Sequence, residues 1–395
     1  MNPSASGWID KYGSLIEKEA QAFPGFDAFY RDLKKTGFVY GLNVAIPSFL
    51  VPEHSLSEDE KAKINLVHAL FGTFFLETGV PDFGTFLDSI FAFYRALDVG
   101  RISFLHKILM GKKTSVQLEK LLDSRIYLAD NVISRTFNRS ITNSLLFIDI
   151  LLFRKFLGGF MDIRQHGELL EYLSVNITYH ALNSKETQKS DKRLANLFSA
   201  SLSFIDETSF TFDGAYRKQL WEKRNDFENR YLLDIACLTV WEDHSLDYRE
   251  SEFIFGLGKD LGFNDAFISL ALNDIRDFFA ENLKQISFLV DTNPAVHFYD
   301  SMAKVVDKLI SRNSKRLQKE LLESRELVSL LSQSTLRDLG PEEKSKVRSQ
   351  LMDIFKSIPS LAIFLLPGGA VLLPIFIKLI PKLLPSSFDE NRVEK

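Results

Sequence analysis

Residues Ile358 to Leu384, IPSLAIFLLPGGAVLLPIFIKLIPKLL, form an apolar block near the end of the 395-residue chain, with prolines at 367, 374 and 381. Its first 20 residues, Ile358 to Ile377, carry no charge. An uncharged apolar run of about 18 or more residues is long enough to cross the hydrocarbon core of a bilayer. The prolines complicate that reading, because each removes a backbone donor and crowds the preceding turn, and their seven-residue spacing puts them on nearly one helical face. Twelve of the 20 residues are Leu, Ile, Phe or Val, together contributing roughly −4 to −7 kcal/mol to insertion. Interior Pro367 and Pro374 oppose this at about 3 kcal/mol each, and Gly368 and Gly369 at about 1 kcal/mol each. The balance predicts a broken helical hairpin or a kinked span; the alternative is a buried hairpin of a soluble protein.

The chain outside this block has a soluble character. Hydrophobic residues make up 45% and charged residues 25%, which supplies real cores and excludes both wholesale disorder and a polytopic membrane protein. A net charge of −4 gives no global attraction to nucleic acid, and DNA is not an expected partner. Many of the 35 phenylalanines recur at helical spacing, as in Phe86, Ile90, Phe91, Phe93 and Tyr94, and read as core. Cys237, the single cysteine, sits on an apolar helix face near Leu233 and Leu238 and reads as an inert core residue. The opening MNPSASGWIDKYGSLIEKE lacks a secretory signal, so the first 357 residues are expected on the cytoplasmic side of the cytoplasmic membrane, or in the cytoplasm if the block does not insert.

Periodicity predicts an all-α protein. Ser57 with Glu60 forms a capping signal before Ile64, Val67, His68 and Phe71, and Asn264 or Asp265 opens a helix bearing Phe267, Leu270 and Ile275. Ser209 to Phe212 is the clearest strand candidate, and Phe38 to Val51 reads as loop. Polar Asn183 to Arg193 and the DTNP of 291–294 mark boundaries, giving an N-terminal helical domain 1–185, a middle helical domain 186–297 and a C-terminal region 298–395.

In the middle part, Tyr231 to Phe263 reads as a helix (YLLDIACLTV), an acidic loop (WEDHSLDYRE) and a second helix. This resembles the TerB-like family of tellurite-resistance proteins: Asp243, Leu246 and Glu250 match its pattern, with His244 where that family has glycine. The resemblance implies a divalent cation held by Glu242, Asp243, Asp247 and Glu250, a chemistry that suits carboxylates. The same residues also serve as helix caps and favourable charges at a helix start. Without that resemblance no cofactor is expected.

From Ser332 to Phe388 a short helix, a Pro-Glu-Glu helix start and a connecting helix lead into the apolar block. Ile358-Pro359, Pro367, Leu373-Pro374, the run from Lys378 to Pro381, and Leu384-Pro385-Ser386 follow a definite proline spacing. This looks like the membrane segment of the Letm family, the leucine-zipper EF-hand transmembrane proteins, over about 57 of 395 residues. The whole layout is similar to a bacterial subgroup described as Letm-related biofilm-associated proteins. The resemblance implies membrane lipid and the ribosome as partners, with cation/proton exchange or ion homeostasis as the alternative role, in which homo-oligomerised blocks line a path. The family's ribosome-binding region extends beyond the Pro-Ser-Phe exit, whereas this sequence ends at DENRVEK.

Lys304, Lys308, Arg312, Arg316 and Lys319 recur at four- and three-residue steps along one predicted helix, a pattern that suits anionic headgroups or an RNA backbone. A second basic cluster runs from Arg101 to Arg139. Enzyme signatures are missing: Gly256-Leu257-Gly258-Lys259 lacks the phosphate-loop spacing, and no G-x-S-x-G or H-E-x-x-H occurs. His68, His180 and His297 read as residues of helix faces or ends. The expected function is a non-enzymatic, membrane-associated scaffold or interaction protein.

Overall fold

The structure, a computed structural model, describes residues 2–19, 23–52, 54–97, 114–126, 144–184, 216, 220, 226–241, 248–282, 306–307, 309–311, 313–334, 337, 339–358, 361 and 373–380. Among these residues every regular element is a helix and there is no strand; the strand candidate Ser209 to Phe212 lies outside them.

Four helices open the chain: α1 (Trp8–Glu19), α2 (Phe26–Lys35), α3 (Glu58–Thr78) and α4 (Phe83–Ala96). The Ser57 signal is realised as a reciprocal capping box. Ser57 Oγ accepts from the Glu60 amide at 3.2 Å, and the Glu60 carboxylate accepts from the Ser57 amide at 2.9 Å, which satisfies two of the donors a helix start leaves open. On α4, Phe86, Ile90, Phe91, Phe93 and Tyr94 are all fully buried, as their spacing predicts.

After α2 the chain turns through Gly37, whose φ is +82°. A side chain there would also strike the Leu42 carbonyl oxygen, with Cβ only 1.7 Å from it. Only glycine fits. The described residues from Phe38 to Ser57 then form no helix or strand, matching the loop-like reading of Phe38 to Val51.

The next six helices are α5 (Ser115–Ile126), α6 (Phe147–Leu157), α7 (Ile163–Ser184), α8 (Asp226–Val240), α9 (Tyr248–Asp260) and α10 (Asp265–Asn282). α3 packs on α5 and α6, α6 on α7, and α8 on α7, α9 and α10. Asn264 caps α10 by accepting from the Phe267 amide at 2.9 Å. The glycines of Gly256-Leu257-Gly258 serve packing: a Cβ on Gly258 would lie 2.5 Å from Ile268 of α10, so the missing side chain permits the close approach of α9 and α10. Cys237 is fully buried in α8, and burial pushes its thiol pKa up, which leaves it an unreactive core group.

Four helices complete the described chain: α11 (Ser314–Glu323), α12 (Arg325–Gln333), α13 (Pro341–Ser357) and α14 (Leu373–Leu379). α11 packs on α12, and α12 on α13. Pro341 occupies the first turn of α13, where its missing N–H costs nothing.

Of the apolar block, Pro374 lies in α14, while residues 362–372, with Pro367, lie outside the described residues. Ile358, Leu361, Leu373, Ile375, Phe376 and Ile380 are buried, and Phe376 meets Phe355 of α13 edge-on at 4.9 Å. Among the described residues no helix is long and apolar enough to cross a membrane.

Candidate functional site

Two groups of charged residues are built into the molecule: one inside the helical core and one on the C-terminal unit. In the core, α2 faces α8 through a buried ionic cluster. Tyr30 Oη donates to Asp234 Oδ2 at 2.6 Å, and Lys34 Nζ donates to Asp234 Oδ1 at 3.0 Å and to Asp274 of α10 at 2.7 Å. Burial alone would lower the pKa of Lys34, but the Asp234 and Asp274 carboxylates outweigh it, with Tyr40 beside them, and raise it. Arg230 of α8 also pairs with Asp27 of α2, and this guanidinium holds the Asp27 carboxyl below its usual range.

A second buried cluster joins α6, α7 and α8. The fully buried Glu228 accepts from Lys155 at 3.1 Å and lies 3.0 Å from His166 Nε2. Burial would raise its carboxyl pKa, but the hydrogen bond and charge of His166 and the charge of Lys155 prevail and lower it. In both clusters carboxylate and cation satisfy each other, so they act as struts between helices. They also tie the N-terminal and middle parts together, since Tyr30 and Asp234 lie 204 positions apart.

Sequence reasoning did not single out these residues. One signal was present: Asp234 sits inside the apolar run YLLDIACLTV, where a carboxylate demands a partner. Nothing local names that partner.

Of the cation candidates, Glu242, Asp243 and Asp247 lie outside the described residues, and Glu250 is 2% exposed in the first turn of α9. Among the described residues no group of three or more metal-ligating side chains comes together.

The C-terminal unit is stitched at its surface. Glu343 accepts from Arg337 through both oxygens, at 2.6 and 2.8 Å, and from the Gly340 amide at 2.8 Å. Glu326 of α12 accepts from Lys346 at 2.9 Å and Gln350 at 3.1 Å, both on α13. Ser324 donates to Gln350 at 2.6 Å, and Ser357 of α13 donates to Glu320 of α11 at 3.2 Å.

Of the basic stripe, Lys304, Lys308 and Arg312 lie outside the described residues. Arg316 and Lys319 are exposed on α11, on the side opposite buried Leu317 and Leu321, and neither is tied to a carboxylate among the described residues. Lys315 is exposed beside them. The second cluster, Arg101 to Arg139, falls largely outside the described residues, with Lys120 exposed on α5. Of the membrane-segment candidates, Ile358 is buried at the end of α13, and Lys378 is exposed on α14. Pro359, Pro367, Pro381 and Pro385 lie outside the described residues.

The described residues therefore form an all-helical protein whose C-terminal unit exposes cations on α11 and packs the apolar α14 against α13. Comparison with known proteins sharpens this end of the chain alone: residues 339–395 match the family model described as LETM1-like, RBD. No curated protein and no solved structure matches the chain.

Proposed function

We propose that this chain is a non-enzymatic interaction protein that docks on the ribosome through its C-terminal unit. The match of residues 339–395 to the LETM1-like RBD family, with RBD read as ribosome-binding domain, carries the proposal. The geometry supports it, because the matched α13 is tied to α11 through Ser357 and Glu320, and α11 holds Arg316 and Lys319 exposed to solvent. Exposed cations of this kind bind RNA phosphates with a strong salt dependence.

Co-sedimentation of the full chain with ribosomes across a salt series tests this. The wild type should pellet at about 50 mM salt and be released towards about 200 mM. Arg316→Glu with Lys319→Glu should weaken binding and reduce the salt slope by about 2. No pelleting of the wild type sinks the ribosome reading; equal behaviour of the variant sinks the basic face.

A second reading is favoured by the charge-free run Ile358 to Ile377: the C-terminal region then also holds the protein at a membrane. Alkaline carbonate extraction separates the two, since retention in the membrane pellet supports an integral segment and release removes it.

A further inference from the structure

A cavity of about 220 Å³ opens in the N-terminal part, between Phe23 ahead of α2, Phe49 of the loop before α3, and Phe71, Phe75 and Leu76 of α3. Lys35, Ala45 and Ser48 also line it and are exposed, so solvent reaches the cavity along this rim. It is larger than the engineered apolar cavity of about 150 Å³ that stays dry and binds benzene. A substituted single ring fits such a space.

Asp32, Lys35, Thr36 and Ser48 give the cavity polar lining, and a buried histidine changes what that space recognises. His68 of α3 lines the cavity and is 95% buried, being only 5% exposed. Its Nδ1 lies 3.1 Å from the hydroxyl of Tyr12, which is itself fully buried. With Tyr12 as the donor of this contact, Nδ1 accepts and the imidazole proton sits on Nε2. Nε2 has no partner among the described residues and is not among their sealed, unsatisfied atoms; because His68 lines the cavity, we take the surface Nε2 keeps to face that space. Burial lowers the His68 pKa to about 4, so at neutral pH the ring offers an uncharged N–H.

We propose that this cavity binds a small aromatic molecule bearing a carbonyl-type oxygen, which accepts a hydrogen bond from the Nε2–H of His68 while its ring packs among Phe23, Phe49, Phe71 and Phe75. The site lies outside the C-terminal match and does not depend on ribosome docking. An aromatic ketone is its simplest ligand, because its oxygen accepts one hydrogen bond and brings no charge into a cavity that Asp32 also lines.

The test uses the full chain and two probes of the same shape: acetophenone, and isopropenylbenzene, in which a methylene replaces the carbonyl oxygen. Calorimetry should show acetophenone binding about tenfold more tightly, the gain of one buried hydrogen bond. His68→Phe should erase that preference, and Leu76→Trp, which fills the cavity, should abolish binding of both probes. NMR of the imidazole nitrogens in the unsubstituted protein gives the same answer without a variant, through a shift of the His68 Nε2–H signal on adding acetophenone alone. Equal affinity for the two probes, binding that survives Leu76→Trp, an unmoved Nε2 signal, or no binding by the wild type would each overturn the proposal.

Discussion

The core around α2 and α8 buries its charges, whereas the unit of α11 to α14 keeps its charges outside and joins its helices by apolar contact. Lys34 and Asp234 have side chains only 11% and 5% exposed; Lys346 and Glu326, which link α13 to α12, are 59% and 53% exposed. Two ways of fixing helix positions follow. A buried ion pair fixes which residue faces which, because a helix shifted by one turn leaves a naked charge in a dry interior. A surface pair is satisfied by water when it opens and enforces little. The core is thus held in one arrangement, while the C-terminal unit depends on the fit of its apolar side chains.

Lys34→Met is the most severe way to break this comparison. It keeps most of the length of the side chain but strips Asp234 and Asp274 of their shared cation, and the expected loss is about 3 to 5 kcal/mol, read from the urea midpoint by circular dichroism. Adding Asp234→Asn should return part of that loss, because the uncompensated carboxylate is then gone. A loss below about 1 kcal/mol for Lys34→Met would mean that the cluster is not the strut described here.

Phe355→Ala makes the matching change in the C-terminal unit. Phe355 and Phe376 are fully buried and meet edge-on, so the truncation should cost about 3 kcal/mol. The effect should stay local: hydrogen exchange in α13 and α14 should accelerate while α3 and α8 keep their protection. Loss of protection throughout would show that the two regions unfold as one.

The contrast also explains what was legible in the sequence. Local features were readable: the Ser57–Glu60 capping box, the Asn264 cap, the buried face of α4 and the loop after Phe38 each depend on residues a few positions apart. The buried clusters were not, because the partner of Asp234 lies 200 positions away at Lys34 and no pattern in either segment names the other. The apolar block was legible in composition but not in form. Hydropathy counts residues without regard to how they pack, and it does not name the edge-on contact of Phe376 with Phe355. For the candidate site, Arg316 and Lys319 were found by their spacing and are exposed, whereas the cavity around His68 had no sequence signal beyond a histidine at a core position.

The smallest expected effect sharpens the comparison at the surface. Hydrogen bonds from Arg337, and then from the Gly340 amide, hold the Glu343 carboxyl at a pKa of about 2, well below the usual value of about 4.3. A carboxyl whose pKa is depressed by folding contributes stability that is fully present above its unfolded pKa and lost as pH falls through its folded one. The hold of Glu343 on the start of α13 should therefore be intact above pH about 4.3 and fade between there and about 2. Carboxyl NMR should place its titration near the lower value, and added salt should move it upward, since the pair is exposed enough to be screened. Glu343→Gln keeps an acceptor for the Gly340 amide but loses the charge, so it should flatten the acid dependence of hydrogen exchange at the start of α13. Titration at the ordinary glutamate value would show that the Arg337 fork is open in solution, and that this unit rests on its apolar contacts alone.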